Sequence, residues 1–252
     1  MGRFTGRVCV VTGGSSGIGL ATAEQLAREG GKVVLAARGK ERLEKAVDGI
    51  KASGGEAFGV VADASKEDDN KRLVDAVLDK YHRLDVSFIN AGIHRAAKAV
   101  DVTDEMLDEL LAANVKSVAL GLKYQLPAIA KSGGGGAIVI NSSIAGSNVK
   151  TRKEFVGNGP YAATKAAADM LMRHAAVEAS KQGTQINSIA PGVVKTNLLD
   201  LPDDAYEEFG KGANVMHRTG RPEEIAHFLL SDDASFVMGT VLTADGGHAL
   251  KA

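Results

Sequence analysis

Tyr161 and Lys165 are the two side chains of this sequence best suited to acid–base chemistry. In a helix, residues four apart lie one turn apart on the same face. A free tyrosine has a pKa near 10, which is too high for its phenol to act as a base at neutral pH. A neighbouring cation favours the phenolate and lowers that pKa. The competing interpretation is a packing aromatic beside a solvated lysine, so the pair needs support from the rest of the chain.

Other polar side chains could assist a phenol. Ser142 and Ser143 end an apolar run, and a hydroxyl there could hydrogen bond to an oxygen that gains negative charge. Adjacent residues of a strand point to opposite faces, so only one of the two serines can face a given site. Asn114 falls inside a predicted long helix, where asparagine is mildly unfavourable, and this favours a role for Asn114 other than helix stability.

A glycine-rich segment, TGGSSGIG at residues 12–19, follows the first apolar run and opens a predicted helix. Glycines at such a turn let the backbone approach a pyrophosphate, which the free N–H groups of the helix N-terminus bind. A plain strand–helix turn also uses glycine, but this position favours the nucleotide site. The spacing differs from G-x-G-x-x-G because its first gap is longer. The predicted phosphate-side residues are Gly13, Ser15, Ser16, Gly17, Ile18 and Gly19.

The end of the second apolar run indicates which dinucleotide would bind. An acid roughly 20 residues past the glycine segment selects NAD by bonding the ribose 2′-hydroxyl. Here Ala37 stands where that acid is expected, and Arg38 and Lys40 offer positive charge. Guanidinium groups bind phosphate well. The sequence therefore favours NADP(H), although both cations could instead be exposed loop residues.

These candidate residues require a framework of alternating strands and helices. Seven short apolar runs, most of them rich in Val and Ile, alternate with amphipathic segments, as is typical of strands buried on both faces of a parallel sheet. A helix is predicted over Ser65–Tyr81, with a capping box formed by Ser65 and Asp68. The pattern predicts one α/β domain over residues 1–252, a Rossmann-type, doubly wound, seven-stranded parallel sheet in a three-layer αβα sandwich. The predicted strands are Arg7–Thr12, Lys32–Ala37, Glu56–Ala62, Asp85–Asn90, Ala137–Asn141, Gln185–Ala190 and Thr240–Ala244.

Taken in order, these motifs resemble the short-chain dehydrogenase/reductase family over nearly the whole chain. Besides the TGxxxGxG segment, the matching motifs are Asn90-Ala91-Gly92, Tyr161-x-x-x-Lys165, Pro191-Gly192 followed by Thr196, Arg221-Pro222-Glu223-Glu224 and Asp245-Gly246-Gly247. One departure is Ile89, where the family more often has a first asparagine before Asn90.

The resemblance implies an NADP(H)-dependent interconversion of a ketone or aldehyde with an alcohol by hydride transfer. Tyr161 would be the catalytic acid–base, and Ser143, rather than Ser142, would polarise the carbonyl. Lys165 would tune Tyr161 and bond the nicotinamide ribose, and Asn114 would hold a water in a proton relay. Further cofactor contacts would come from Asp63, Ala64, Asn90, Ala91, Gly92, Pro191, Gly192, Val194 and Thr196. Family members usually pair through the helices near Asn114 and Tyr161, so the resemblance also implies a homotetramer or homodimer.

The gap of 18 positions from Ser143 to Tyr161 is longer than is common in the family. We expect the extra residues within Val149–Gly159 to form one rim of the substrate pocket, or otherwise a solvated loop. Leu198–His217 is expected to form a mobile helical flap opposite. Its apolar side chains could wall the pocket or pack a subunit interface; they are Leu198, Leu199, Leu201, Phe209 and Met216.

Composition narrows the functional class. The 30 basic and 31 acidic residues nearly cancel, which gives no support to a nucleic-acid-binding surface. Cys9 is the only cysteine and the six histidines are scattered, so neither a disulfide nor a zinc motif is indicated. No apolar run reaches membrane-spanning length and no signal segment is evident. We therefore expect a cytoplasmic protein acting on a small molecule, with no metal, membrane or nucleic-acid partner.

Several alternative functions stay open. Two enzymatic alternatives are an NAD(H)-dependent secondary alcohol or polyol dehydrogenase and a 3-oxoacyl-thioester reductase; the second would want a basic patch for an acidic carrier. A dinucleotide-sensing scaffold would bind cofactor without turnover, but the set of Asn114, Ser143, Tyr161 and Lys165 argues against it. A methyltransferase would share the glycine segment and leave the Tyr–Lys pair unexplained.

Overall fold

A computed structural model describes residues 2–149, 156–199 and 202–250, and within them seven strands form one all-parallel sheet. Their order across the sheet is β3-β2-β1-β4-β5-β6-β7. The prediction of a doubly wound, Rossmann-type sheet is confirmed, with strand ends that agree to within one residue. The strands are β1 (Val8–Thr12), β2 (Lys32–Ala37), β3 (Glu56–Val61), β4 (Val86–Ile89), β5 (Ala137–Asn141), β6 (Gln185–Pro191) and β7 (Val241–Ala244).

Helices cover both faces of the sheet because the strands are apolar on both sides. Along β1, Cys9 and Val11 belong to one buried cluster, whereas Val8 and Val10 belong to the other. This alternation places a hydrophobic core on each face and gives the three layers. The helices are α1 (Gly17–Arg28), α2 (Lys40–Ala52), α3 (Glu67–Tyr81), α4 (Asp104–Leu111), α5 (Ser117–Lys131), α6 (Gly159–Ala179), α7 (Asp203–Ala213) and α8 (His227–Leu230).

The predicted capping box at the start of α3 is wrong. The helix begins at Glu67 with Lys66 as its N-cap, and no side chain caps it. The Ser65 hydroxyl instead donates to the Asp63 carboxylate at 2.8 Å, and the Ser65 amide donates to the same oxygen at 2.9 Å. Asp63 thereby closes a turn before the helix, a local bond that competes with capping.

The long helix predicted around Asn114 is interrupted. Between α4 and α5 the chain forms a π-helical turn, Ala112–Lys116, with Asn114 at its centre. Such turns widen a helix locally and occur frequently at functional sites. Asn114 is buried there, on the side of the segment that faces α6.

The sheet reverses its winding between β1 and β4, the two central strands. Loops that follow those strands diverge and leave a crevice at the carboxyl edge, where open α/β sheets bind ligands. Within the described residues, no helix has the length and hydropathy needed to cross a bilayer. The same ranges contain no group of three or more His, Cys, Asp or Glu side chains that could hold a metal ion.

Candidate active site

A cavity of about 1170 Å³ lies at the carboxyl edge of the sheet. Its walls run from the end of β2, past the glycine segment, to α6 and the loop after β6. Pockets for one small ligand commonly occupy roughly 300–1,000 Å³. The crevice therefore has room for a dinucleotide and a small substrate together.

The glycine segment forms one wall of the cavity as predicted, except at Gly19. Gly13, Ser15, Ser16, Gly17 and Ile18 line the cavity. Gly19 instead packs against the turn, where an added Cβ would lie 2.4 Å from the Gly13 carbonyl oxygen. The N-cap of α1, Ser16, makes no side-chain capping bond, so the first amides of the helix are available to an anion.

A chain of side-chain bonds ties the glycine segment to the catalytic helix. The Asn90 amide donates to the Thr12 carbonyl at 2.9 Å, and Asn141 donates to the Asn90 side-chain oxygen at 2.8 Å. Lys165 Nζ then donates to the Asn141 carbonyl at 2.7 Å. Asn90, Ala91 and Gly92 all line the cavity, and the side chain of Asn90 also fixes the geometry of the turn.

The far end of the cavity carries positive charge, but not from both predicted cations. Arg38 and Arg42 line it, and neither has an acidic partner among the described residues. Lys40 is exposed, lies 3.8 Å from Glu44 and does not line the cavity. Arg42, two residues further along α2, lines the cavity where the sequence predicted Lys40. Asp63 and Ala64 lie nearby in the same wall.

Tyr161 and Ser143 meet at the other end of the cavity. Tyr161 is buried on α6, beside Ser143 in the loop after β5, and the Ser143 hydroxyl is near enough to lower the pKa of the phenol. The Ser142 hydroxyl points into the protein and donates to Asp169 at 2.9 Å. The geometry thus places Ser143, rather than Ser142, beside the phenol.

Asn114 and Lys165 converge behind this pair. A Cβ added at Gly92 would lie 2.8 Å from Asn114 Oδ1 and 3.5 Å from Lys165 Nζ. Asn114 also accepts from the Ile93 amide at 2.9 Å and donates to the Thr164 hydroxyl at 3.1 Å. The π-helical turn therefore inserts Asn114 between the loop after β4 and α6.

The chain is similar to known proteins along nearly its whole length. A family model described as enoyl-(acyl carrier protein) reductase matches residues 13–249. "Dehydrogenase/reductase SDR family member 4" of Oryctolagus cuniculus is 36% identical over 247 residues, 96% of this chain and 93% of the relative. The chain belongs to the short-chain dehydrogenase/reductase family.

Two further relatives bear on the chemistry of this dehydrogenase/reductase. An A-factor type gamma-butyrolactone 1'-reductase (1S-forming) of Streptomyces virginiae is 36% identical over 259 residues, covering 99% of this chain and 98% of the relative. A short chain dehydrogenase of Burkholderia cenocepacia, solved in complex with NADP, has a TM-score of 0.88 and 31% identity, covering 98% of this chain and 99% of that one. The protein is thus an oxidoreductase of a family that uses nicotinamide dinucleotides.

Burial moves the two titratable groups of this dehydrogenase/reductase in opposite directions. It raises the pKa of Tyr161 to about 12, against the hydrogen bond from Ser143 that lowers it. Burial also lowers the pKa of Lys165 to about 8, against the Asp169 carboxylate that raises it. The sequence predicts that the neighbouring Lys165 ammonium group lowers the pKa of the Tyr161 phenol. In the structure that pKa is raised instead, because desolvation of the phenolate outweighs the effect of Ser143.

The lowered pKa of Lys165 predicts a pH-dependent stability. The pKa is about 8 in the folded state and about 10.4 in an unfolded chain, so between these values the unfolded state binds more protons. The free energy of unfolding should therefore rise with pH in that window, relative to Lys165→Met. The expected gain between pH 8 and pH 10 is about 2 kcal/mol, measured by urea denaturation. Below pH 8 the difference should be flat, since both states are protonated.

A matched control for that measurement is Lys181→Met, which removes an exposed lysine after α6. This variant should follow the wild-type pH dependence throughout. A difference curve for Lys165→Met that is flat from pH 8 to pH 10 would show that Lys165 is not desolvated in the folded protein.

The residues predicted to contact the cofactor at the end of β6 and just after it also lie on the cavity wall. Pro191, Gly192, Val194 and Thr196 all line it. Of the predicted flap, Leu198, Leu199 and Phe209 line the cavity, and α7 supplies the helix. Met216 is exposed and lines a separate cleft. Leu201 and most of the predicted insertion Val149–Gly159 lie outside the described residues, although Val149, Asn158 and Gly159 line the cavity.

Three side chains that line the cavity or support its walls were not predicted from the sequence. Arg42 follows Arg38 by one helical turn, and that spacing could have indicated it. Asp169 follows Lys165 by the same spacing and is buried, with its pKa raised by that burial. His94 contacts the Tyr161 ring from a loop far away in sequence, so no local pattern indicates it.

Proposed function

We propose that this protein is an NADP(H)-dependent carbonyl reductase or alcohol dehydrogenase that acts on a small ketone, aldehyde or alcohol. The observation that carries the proposal is one cavity with Tyr161 and Ser143 side by side at one end and two arginines at the other. The pair suits a carbonyl oxygen, and the arginines suit a phosphate. The glycine turn between them suits a pyrophosphate.

The hydroxyls of Tyr161 and Ser143 perform the proton chemistry. In the reductive direction NADPH supplies the hydride, and the carbonyl oxygen takes up negative charge. Tyr161 holds its proton below about pH 12, so it is a phenol at neutral pH and can donate that proton to the oxygen. Ser143 donates a hydrogen bond to the same oxygen, which stabilises the developing charge.

Lys165 and Asn114 hold the reacting groups and carry the proton onward. Lys165 is fixed by its bond to the Asn141 carbonyl and is within reach of Gly92 on the cavity wall. Its ammonium group would bond the nicotinamide ribose hydroxyls. Asn114, between the loop after β4 and α6, would support a water that returns a proton toward Tyr161 through Lys165.

The preference for NADP(H) over NAD(H) follows from charge at the end of β2. Ala37 provides no carboxylate to bond a ribose 2′-hydroxyl or repel a 2′-phosphate, and Arg38 and Arg42 line the wall there. The relative from Burkholderia cenocepacia was solved with NADP, which supports the same choice. The alternative is an NAD(H)-dependent secondary alcohol or polyol dehydrogenase.

We also propose a domain organisation and an assembly for the protein. The chain would act as a single dinucleotide-binding and catalytic domain over residues 1–252, as a cytoplasmic homotetramer or homodimer. The matching family model is described as a reductase of acyl-carrier substrates. A thioester-reducing role nevertheless needs a basic docking patch, and the near-zero net charge of −1 favours a free small molecule.

An activity screen tests this proposal. The purified protein is assayed with a panel of ketones and aldehydes plus NADPH, and with alcohols plus NADP⁺, then with NADH and NAD⁺. We expect turnover of small carbonyl compounds with NADPH favoured over NADH. Tight NADPH binding without turnover of any compound would point to a dinucleotide-sensing scaffold. Equal rates with NADPH and NADH would contradict the role of Arg38 in cofactor preference.

We expect the segment between Ser143 and Tyr161 to determine which substrates the protein prefers. Deleting five residues within Val149–Gly159 should reorder the substrates by kcat/KM and leave the Kd for NADPH within a few-fold, because in the sequence that segment lies between Ser143 and Tyr161, whereas Arg38 and Arg42 follow β2. Steady-state kinetics over the same panel measure the order. An unaltered order in a folded deletion variant would place the segment in solvent or against another subunit.

A further inference from the structure

His94 stands beside the reacting phenol without a part in the chemistry described above. The His94 and Tyr161 rings meet edge to face, with centroids 4.8 Å apart. His94 also lines the cavity. A substrate whose carbonyl oxygen bonds to Tyr161 would therefore place its neighbouring carbons within reach of the imidazole.

Two segments hold His94 in this position. His94 Nε2 lies 3.0 Å from Asn158 Oδ1, just before α6, and the Ala97 amide donates to the Gly157 carbonyl at 2.9 Å. These two bonds join the loop after β4 to the residues that lead into the catalytic helix. The imidazole is consequently fixed on both sides, by Asn158 and by the Tyr161 ring.

The fixed pair leaves one acceptor and one donor for a ligand. We assign the proton of this bond to His94 Nε2, because Asn158 Oδ1 can only accept, and in that tautomer Nδ1 is an acceptor. Among the described residues, neither His94 Nδ1 nor Asn158 Nδ2 has a hydrogen-bond partner, and both side chains line the cavity. An acceptor beside a donor matches a hydroxyl group, which both donates and accepts.

Apolar side chains line the cavity as well. They include Ile93, Leu198, Leu199 and Phe209. His94 and Asn158 are half-buried, so a ligand that covers them without a matching group would leave their polar atoms unpaired, and the pair would thereby discriminate between substrates.

We propose that His94 and Asn158 form a subsite for a hydroxyl on the carbon next to the reacting carbonyl, so that the preferred substrates are α-hydroxyketones, or vicinal diols in the oxidative direction. The inference rests on the proposed carbonyl reductase function and names its substrate class. His94 contacts the substrate hydroxyl and, through its ring, positions Tyr161.

The test compares 3-hydroxybutan-2-one with butan-2-one, two ketones that differ by the single hydroxyl. The readout is the ratio of their kcat/KM values with NADPH, in the wild type and in His94→Phe. Phenylalanine keeps an aromatic ring against Tyr161 and removes both nitrogens. The ratio should fall roughly three- to tenfold, the effect of one lost hydrogen bond. His94→Ala should lower kcat for both ketones as well, because Tyr161 loses its ring contact.

His174→Phe is the matched control. His174 is exposed on α6 and does not line the cavity, so the same substitution there should leave the ratio within twofold. A ratio that is unchanged in His94→Phe, or that falls equally in His174→Phe, overturns the assignment to His94 while the reductase function stands. If the wild type reduces neither ketone nor any other carbonyl compound, the proposed function and this inference both fail.

Discussion

Tyr161→Phe should reduce turnover by about 10²–10⁴-fold, the usual contribution of a general acid–base group, and leave the affinity for NADPH nearly unchanged. The substitution removes only the hydroxyl that would donate the proton. The ring remains, so the edge-to-face contact with His94 and the packing of α6 persist. Lys165 keeps its bond to the Asn141 carbonyl and can still hold the ribose.

Stopped-flow or steady-state assays give the turnover, and quenching of protein or cofactor fluorescence gives the Kd for NADPH. The matched control is Tyr124→Phe, which removes a hydroxyl on α5 that donates to Glu67 at the start of α3, and this variant should retain wild-type turnover. Near-normal kcat in Tyr161→Phe on a good substrate would remove Tyr161 from the acid–base role. Loss of NADPH binding in that variant would show that the Tyr161 hydroxyl maintains the structure of the site, so its loss would not measure an acid–base role.

Arg38→Ala combined with Ala37→Asp should shift the ratio of kcat/KM for NADPH over NADH by about 100-fold toward NADH. A hydrogen bond to a charged group contributes about 1.5–3 kcal/mol, and every 1.4 kcal/mol is a factor of about ten. The double variant removes one guanidinium from the cavity wall and adds a carboxylate at the end of β2. That carboxylate would repel a 2′-phosphate and bond a 2′-hydroxyl.

Single variants of the neighbouring cations show which side chains determine the preference for NADPH over NADH. Lys40→Ala should leave the ratio unchanged, because Lys40 lies outside the cavity and faces Glu44. Arg42→Ala should lower the ratio in part, since Arg42 lines the same wall as Arg38. An unaltered ratio in the double variant would place phosphate recognition elsewhere, and Ser15 and Ser16 on the glycine segment would be the next residues to test.

The sequence by itself determined the framework of this protein, because its signals are local. Val- and Ile-rich runs marked seven strands, and a glycine cluster after the first of them marked the dinucleotide turn. The spacing of Tyr161 and Lys165 placed both on one face of a helix without any knowledge of the fold. Periodicity, turn chemistry and helical spacing each depend on residues a few positions apart, so a single chain reveals them.

Only the tertiary structure decided which side chains meet. Strand alternation alone does not decide between Ser142 and Ser143, although the family resemblance favours Ser143. Their roles separate in the structure because Ser142 bonds to Asp169, whereas Ser143 lies beside Tyr161 at the start of the same helix, α6. Arg42 replaced Lys40 on the cavity wall because α2 turns the lysine outward toward Glu44. The π-helical turn at Asn114 and the loss of the Ser65 cap likewise follow from contacts that compete with regular helix geometry.

The contacts at the substrate end of the cavity also depend on the tertiary structure and not on local sequence. His94 and Asn158 are 64 residues apart in the chain, and the sequence contains no pattern that relates them. They meet because the loop after β4 and the first residues of α6 lie at the same edge of the sheet. Strand order brings these segments together, and the hydrogen bonds between them then fix the imidazole beside Tyr161. Local sequence thus specified the catalytic pair, and long-range packing specified the groups that surround a substrate.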